Sequence, residues 1–204
     1  NPKYQDYQAF LKRFGVDGNT MVVGFETDHF YEMSYFNAVA KLQKTIKSLK
    51  GVTAILNIPD VVNLINDSAS AQFKAVKIFV PPYTSQASLD SAAAIFKTLP
   101  FYKTLLYSPT SNAYLMGVSL DGAIINSKNR SALVQKIDAA IETFEKETNA
   151  RVHLSGLPYI RTIVADRIKK EMNIFLIASF VLSALTLLLF FRSISAMLMS
   201  MVVV

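Results

Sequence analysis

The stretch from Ile174 to Phe191 reads IFLIASFVLSALTLLLFF and contains no charged side chain. At about 1.5 Å of rise per residue, a helix of this length covers roughly 27 Å, which is close to the hydrocarbon thickness of a bilayer. No glycine or proline interrupts it, and its serine and threonine hydroxyls can bond to backbone carbonyls within the helix. The alternative is a core helix of a soluble protein, where so long a charge-free run is rare. The stretch therefore predicts a transmembrane helix.

Basic residues flank this stretch on both sides, so the positive-inside rule does not orient it. Arg167, Lys169 and Lys170 precede it and Arg192 follows it. We expect these four side chains near the membrane surface, in contact with anionic head groups or with solvent. A further apolar run, 196–204, then begins, and it predicts the start of a second spanning helix. Because the sequence begins without methionine and stops inside that run, we expect an internal piece of a longer membrane protein.

Composition argues against several classes of function. Cysteine is absent, which excludes disulfides, thiolate metal sites and cysteine nucleophiles from this chain. The net charge is +6, but lysine and arginine form no run of five, so we expect no nucleic-acid partner. His29 and His153 have no carboxylate at metal-ligand spacing, and Ser155-Gly156 lacks the first glycine of a nucleophile elbow. The sequence predicts neither an enzyme nor a cofactor.

Residues 1–157 have the pattern of a water-soluble α+β domain. Apolar residues at helical spacing predict helices that run from Tyr4 to Phe14, from Tyr35 to Leu49, from Leu89 to Leu99 and from Leu133 to Phe144. We expect Gly15 to end the first helix and Ser88 to cap the third. Runs rich in β-branched and aromatic residues predict strands at 20–27, 52–58, 73–80, 104–107, 113–120 and 151–155.

The two halves of this domain resemble each other. The strand MVVGFE, a helix and the strand VTAIL are matched, about 95 residues later, by the strand YLMGVSL, a helix and the strand VHLS. Two such β-α-β halves, with their helices on one face of an antiparallel sheet, form a ferredoxin-like α+β sandwich. That is the predicted fold class.

After Gly156, the sequence predicts one long helix that begins at Pro158, because proline is tolerated in a first helical turn. Residues 158–173 are amphipathic, with apolar side chains on one face and charged side chains on the other. No stop signal separates them from residues 174–191. A single helix of this kind would transmit motion between the domain and the membrane.

These motifs resemble a known family. The segment from Gly156 to Arg161, GLPYIR, is similar to the G-x-P-x-x-R that leads into the second spanning helix of RND-superfamily exporters of the MMPL type. The F-R-S at residues 191–193 resembles the cytoplasmic end of that helix. Phe14-Gly15 and Lys50-Gly51-Val52 are similar to parts of the family's first periplasmic loop. The resemblance covers essentially the whole chain.

The resemblance implies a proton-driven exporter of lipids or other hydrophobic molecules. Residues 1–157 would form a periplasmic porter domain on a multi-pass protein of the bacterial inner membrane, with Arg192 on the cytoplasmic side. Its partners would be the bilayer, the substrate, the remaining transmembrane helices and a second porter domain, and a homo-oligomer is left open. The proton relay would lie in other spanning helices. Gly156, Pro158 and Arg161 would couple the domain to the membrane.

Two aromatic clusters are candidates for the substrate path. The first contains Phe30, Tyr31, Tyr35 and Phe36, and the second contains Phe101 and Tyr102. Core packing is the alternative for both, whereas a hydrophobic path would need apolar walls. Two other functions stay open: a SecDF-like accessory to protein translocation, and a membrane-anchored sensor or binding domain without pump activity. A large apolar-lined cleft would favour export.

Overall fold

The structure is a computed structural model that describes residues 2–14, 17–67, 72–192, 194 and 199. The helices are α1 (Pro2–Phe14), α2 (Met33–Lys47), α3 (Gln86–Lys97), α4 (Gly122–Ile125), α5 (Arg130–Thr148) and α6 (Leu157–Phe191). The strands are β1 (Thr20–Glu26), β2 (Val52–Leu56), β3 (Val62–Asp67), β4 (Gln72–Lys77), β5 (Tyr107–Ser108), β6 (Ala113–Leu120) and β7 (Val152–Ser155). The chain divides into two units, Asn1–Thr162 and Ile163–Val204.

The main sheet of the first unit is antiparallel. Among the described residues, its strands lie in the order β2-β6-β1-β7, and the short β5 pairs with β6. β1 pairs along its whole length with β6 and along part of its length with β7. The units β1-α2-β2 and β6-α5-β7 are the two predicted β-α-β halves, and they interleave in the sheet as in a ferredoxin-like fold. The predicted α+β class is confirmed.

The core lies between one face of this sheet and helices α2 and α5. Along β1, buried residues alternate with partly exposed ones, as the two-residue period of a strand requires. The buried set is Met21, Val23 and Phe25, each at most 1% exposed. The stripe on α2 is buried as predicted except for Leu49, which is half-buried and follows the end of the helix at Lys47. The stripe on α5 is buried except for the half-buried Ala140. Each fully buried side chain of this size stabilises the fold by about 1.5–3 kcal/mol.

An insertion between β2 and β6 contains a hairpin of which the sequence predicted only one strand. β4 corresponds to the predicted strand 73–80, but its partner β3 was missed. Every residue of β4 is exposed. Alternation such as that of β4 predicts one buried face, yet Leu64, Phe73 and Val76 are 63%, 75% and 40% exposed. The sequence did not predict β3 because Asn63, Asn66 and Asp67 interrupt its short apolar run.

Several predicted boundaries were wrong. Ser85, not Ser88, precedes α3, and its side chain makes no capping hydrogen bond. The strand predicted at 104–107 is displaced to β5, because Thr104 has a φ of +66° and a left-handed residue cannot continue a strand. Ile58 begins a 3₁₀ turn instead of ending β2. The prediction for Gly15 falls outside the described residues, as does that for 196–204 apart from Met199.

The second unit consists, in its described part, of the remainder of α6 together with residues beyond it. α6 extends from Leu157 to Phe191 without interruption. Its most apolar window of 18 residues has a mean hydropathy of 2.3 and is 0% buried. The helix is therefore long and apolar enough to cross a membrane, as the sequence predicted.

A buried polar pair fixes the end of β2 against α2. Asn57 is 1% exposed and Gln43 is 8% exposed. The Asn57 Nδ2 donates to Gln43 Oε1 at 3.0 Å, and the Asn57 Oδ1 accepts from the Ile58 backbone N–H at 2.9 Å. The two Asn57 side-chain groups and the Gln43 Oε1 thereby have partners, which is the condition under which burial of polar atoms is tolerated.

We predict that Asn57→Ala lowers the free energy of unfolding of the domain by about 2 kcal/mol, because it leaves the Gln43 amide and the Ile58 N–H without partners. The measurement is resistance to limited proteolysis across a temperature series, made on the full-length protein. Asn66→Ala on the exposed face of β3 is the control and should change the profile little. Equal effects of the two substitutions would contradict the role given to the buried pair.

Candidate functional site

The junction between β7 and α6 is built on a glycine. Gly156 has a φ of +110°, which L side chains rarely adopt. A Cβ atom at this position would lie 2.5 Å from the Thr20 carbonyl oxygen and 2.9 Å from the Met21 Cα. Ser155, the residue before it, pairs with Val22 in the sheet. The start of α6 therefore packs directly against the backbone of β1.

The first turn of α6 continues this attachment. Pro158 and Thr162 are buried, and the Thr162 hydroxyl donates to the Pro158 carbonyl at 2.8 Å. Arg161 is exposed. Of the three residues predicted to couple domain and membrane, the structure thus places Gly156 and Pro158 inside the junction and Arg161 on its outer side. Thr162 was missed, although its i,i+4 spacing from Pro158 places both on one helix face.

The first aromatic cluster lies in the core. Phe30 and Phe36 are 0% exposed and Tyr35 is 8% exposed, while Tyr31 is half-buried. The Phe30 ring lies edge-on to Phe36 with ring centroids 6.0 Å apart, and it stacks on Tyr114 with centroids 3.9 Å apart. The edge-on contact has the usual geometry of a protein core, whereas the stack is closer than the roughly 4.5–7 Å usual between aromatic rings.

The second cluster contacts the first through two rings that were not among the predicted path residues. Phe36 lies 4.9 Å from Phe79, and Phe79 lies 5.7 Å from Phe96, measured between ring centroids. Phe96 then lies 5.5 Å from Tyr102. Tyr102 contacts Phe101, whose side chain is 73% exposed. The predicted path residues therefore form one aromatic chain that passes through the core and reaches the surface at Phe101.

A cleft of about 590 Å³ opens beside this core, between the end of β1, the start of α2 and the end of α5. Its walls include Glu26, Glu32, Glu147 and Arg151, and Tyr35 also lines it. Polar and charged side chains make up most of the lining of the cleft. The cleft is therefore different in character from the apolar-lined cavity expected of a lipid path.

The predicted membrane-surface residues lie in the second unit. Arg167, Lys169 and Lys170 are exposed, and the Arg167 Nε donates to Glu171 Oε1 at 2.8 Å. Arg192 has a φ of +46°, and its backbone N–H bonds to the Leu188 carbonyl at 2.9 Å, which ends the helix with a left-handed residue. Their contacts with head groups stay a prediction.

We predict that Phe30→Asp prevents folding of the domain, because a carboxylate would replace a ring that is fully enclosed by other aromatic side chains. Phe101→Asp should leave the fold intact, since that ring is 73% exposed. The two full-length variants are compared by their yield and by their resistance to proteolysis. Binding of a hydrophobic ligand by the folded Phe101→Asp variant then tests the surface end of the chain: undiminished binding would remove Phe101 from the substrate path.

The sequence matches the MMPL family over residues 11–204, which covers most of the α+β domain and all of α6. A comparison with curated proteins gives no match. Members of this family are transporters and not enzymes. The matched region includes the antiparallel α+β domain and a helix able to cross a membrane, as the resemblance implied. The chain belongs to the MMPL family of RND-type membrane transporters.

Proposed function

We propose that this chain is part of a proton-driven exporter of lipids or other hydrophobic molecules in the bacterial inner membrane. The observation that carries the proposal is the family match over residues 11–204. The exposed apolar helix α6 supports it. Residues 1–157 are the periplasmic porter domain, residues 158–173 are the juxtamembrane part of α6, and residues 174–191 span the bilayer. Residues 196–204 begin the next span.

The junction supplies the mechanical element of this proposal. Gly156 has no side chain to separate the first turn of α6 from Thr20, and Pro158 and Thr162 are buried. A displacement of β1 would therefore move the first turn of α6 directly, because close-packed interiors transmit strain. In an exporter, the same contact lets movement in the membrane reshape the domain that receives the substrate.

The proton path belongs to other helices of the parent protein. Residues 174–191 contain no ionisable side chain, and intramembrane proton relays are built from such side chains. The role proposed for this span is attachment and force transmission. Its partners are the bilayer, the other transmembrane helices and the second porter domain.

Two alternatives predict different behaviour of the whole protein. A SecDF-like accessory would act on translocating polypeptides and would leave a lipid substrate where it is. A sensor or binding domain would take up ligand without any response to a proton gradient. The polar lining of the cleft beside Tyr35 gives some support to the second alternative, because ligand binding there needs no apolar path.

We predict that the full-length protein in proteoliposomes moves a fluorescent lipid across the membrane when a proton gradient is imposed. Gly156→Ala should reduce that rate at least about tenfold, since its Cβ would overlap the Thr20 carbonyl. Gly117→Ala is the matched control in the same sheet, because a Cβ there meets nothing closer than 3.9 Å. Rates are expressed per folded protein, with the folded fraction measured by proteolysis.

Lipid movement without any dependence on the gradient would contradict proton drive. Ligand binding without movement would favour the sensor, and stimulation of polypeptide translocation alone would favour the accessory. Equal rates for Gly156→Ala and Gly117→Ala would remove the junction from the coupling mechanism while leaving export itself intact.

The proposed topology has a separate test, made possible because this chain has no cysteine of its own. We predict that Lys128→Cys, on the exposed loop before α5, reacts with a membrane-impermeant maleimide in spheroplasts. Arg192→Cys should react only after the membrane is permeabilised. The parent protein is first freed of any other cysteines. Labelling of both positions from the outside would contradict a span between them.

A further inference from the structure

A separate pocket of about 240 Å³ lies in the first unit, beside the C-terminal half of α2. Its walls are one face of α2, the 3₁₀ turn that follows β2, and the end of β4 with the segment after it. The polar part of its lining consists of Gln43, Lys44, Lys47, Asp60 and Lys77. We call it the lysine pocket, because three of these five side chains are lysines.

Gln43 is a buried side chain with an unused donor. It is 8% exposed, and its Oε1 accepts from Asn57 Nδ2 at 3.0 Å. The orientation of both amides follows from the Ile58 backbone N–H, which donates to Asn57 Oδ1 and so directs the Asn57 Nδ2 to Gln43. The Gln43 Nε2 therefore has two N–H groups, and neither donates to any residue that the structure describes.

The Gln43 nitrogen is accessible from outside the core. In the described part of the chain, the fully enclosed side-chain polar atoms without a partner belong to Tyr31, Tyr35 and Arg130, and the Gln43 Nε2 is not among them. This nitrogen therefore keeps accessible surface, and Gln43 lines the lysine pocket. An acceptor oxygen in the pocket would complete the hydrogen bonding of a side chain that is otherwise buried.

Asp60 holds two lysines at the same pocket. Its carboxylate accepts from Lys77 Nζ at 2.8 Å and lies 3.6 Å from Lys47 Nζ. The hydrogen bond from Lys77 lowers the pKa of Asp60, so the carboxylate is ionised at neutral pH. An ammonium group has three N–H donors, and each lysine therefore retains donors that Asp60 does not use.

The lysine pocket carries positive charge. Lys44 also lines it, and its ammonium has no partner among the described residues. Three lysines and one aspartate give the lining a formal charge of +2. Lys44 and Lys47 lie in the last turn of α2, where cations offset the negative pole of a helix. That role explains neither Lys77, which comes from β4, nor the unused donors of Gln43.

These donors match a phosphate monoester better than a carboxylate. A phosphate monoester carries about −1.5 to −2 charges at pH 7 and three terminal oxygens, whereas a carboxylate has one charge and two oxygens. The volume is below the roughly 300–1,000 Å³ of pockets for drug-sized ligands, so it suits a small ester or a head group. Val80, which is 71% exposed, also lines the pocket and offers an apolar contact for the carbon part.

We propose that the lysine pocket binds a phosphate monoester, whether it is a small soluble ester or the head group of an anionic lipid. The Gln43 amide donates to a phosphate oxygen, and the lysine ammonium groups neutralise the phosphate charge. Asp60 positions Lys47 and Lys77 for this contact. The inference goes beyond the proposed export and does not depend on it, because binding needs neither a gradient nor transport.

The test is a calorimetric titration of the full-length protein, held in nanodiscs of choline lipids, with glycerol 3-phosphate. We expect saturable binding at about 150 mM salt, where attraction between distant exposed charges is largely screened. Lys44→Gln should weaken binding about fivefold, because a charge-assisted hydrogen bond is lost. Lys50→Gln is the matched control, since it removes the same charge from an exposed lysine that does not line the pocket.

Gln43→Glu tests the buried amide directly. The new side chain keeps an oxygen for Asn57 but replaces the NH₂ group by an oxygen that repels phosphate, so binding should fall below detection. Resistance to proteolysis shows whether this variant folds. Where it does not, Lys77→Gln takes its place, because that side chain is 63% exposed and its loss leaves Asp60 paired with Lys47.

Two further titrations separate a phosphate site from a merely positive surface. Glycerate, which presents a carboxylate in place of the phosphate ester, should bind at least about tenfold more weakly. Affinity for glycerol 3-phosphate should also fall between about pH 7.5 and pH 5.5, because the second pKa of a phosphate ester is about 6 and the dianion is lost while the lysines stay charged.

The source of the phosphate is tested by repeating the titration in nanodiscs that contain phosphatidic acid. Loss of glycerol 3-phosphate binding identifies the lipid head group as the occupant, and undiminished binding identifies the soluble ester. Either result supports a phosphate site. The proposal would be overturned by absence of saturable binding in choline nanodiscs, by equal affinity for glycerate, by equal losses in Lys44→Gln and Lys50→Gln, or by wild-type affinity in folded Gln43→Glu.

Discussion

The pairing of β1 with β6 on one side and β7 on the other is the constraint on which the rest of the domain depends. β1 has no free edge along most of its length, and Met21, Val23 and Phe25 are buried beneath α2 and α5. A strand held at both edges and on one face is the least deformable part of such a domain. Its two ends, which pair with β6 alone, lie next to the α6 junction and to the charged cleft.

A substrate path through the aromatic chain would require buried rings to be exposed, and that exposure costs free energy. An aromatic side chain buries about 150–250 Å², so exposing one ring costs roughly 4–6 kcal/mol. Phe30, Phe36, Phe79 and Phe96 are all fully enclosed. A hydrophobic substrate that passed among them would have to compensate for several such exposures. At Phe101 and along the exposed hairpin β3-β4, apolar side chains are already at the surface, and a substrate could use them at little cost.

Periodicity and composition were enough to predict the architecture but not its long-range contacts. The stripes on α2 and α5, the strand β6 and the uninterrupted α6 could be read from the sequence because each depends on local spacing. Thr104 was misread because its left-handed backbone is imposed by the turn before β5 and has no local signal such as glycine. For Tyr35, which lines the cleft, the sequence predicted only the role of an aromatic ring. Its hydroxyl is buried without a hydrogen-bond partner among the described residues, which local spacing does not predict.

For the proposed span, the position of α6 in the bilayer would be set by its charges rather than by its length. Its 35 residues measure about 52 Å, well beyond the roughly 30 Å of hydrocarbon, so length alone allows several positions. The charged residues between Arg161 and Glu171 decide among them, because each charge at the bilayer centre costs about 2.5–3.5 kcal/mol. Sliding the helix by about two turns, so that 167–184 lay in hydrocarbon, would bring Arg167, Lys169, Lys170 and Glu171 into the outer turn of the span, which is unfavourable although less costly than at the bilayer centre. The proposed span of 174–191 is thus held in place by the charges before it and by Arg192 after it. In the proposed coupling, a force from the junction on the first turn of α6 would then act on a helix whose charges oppose movement along its axis.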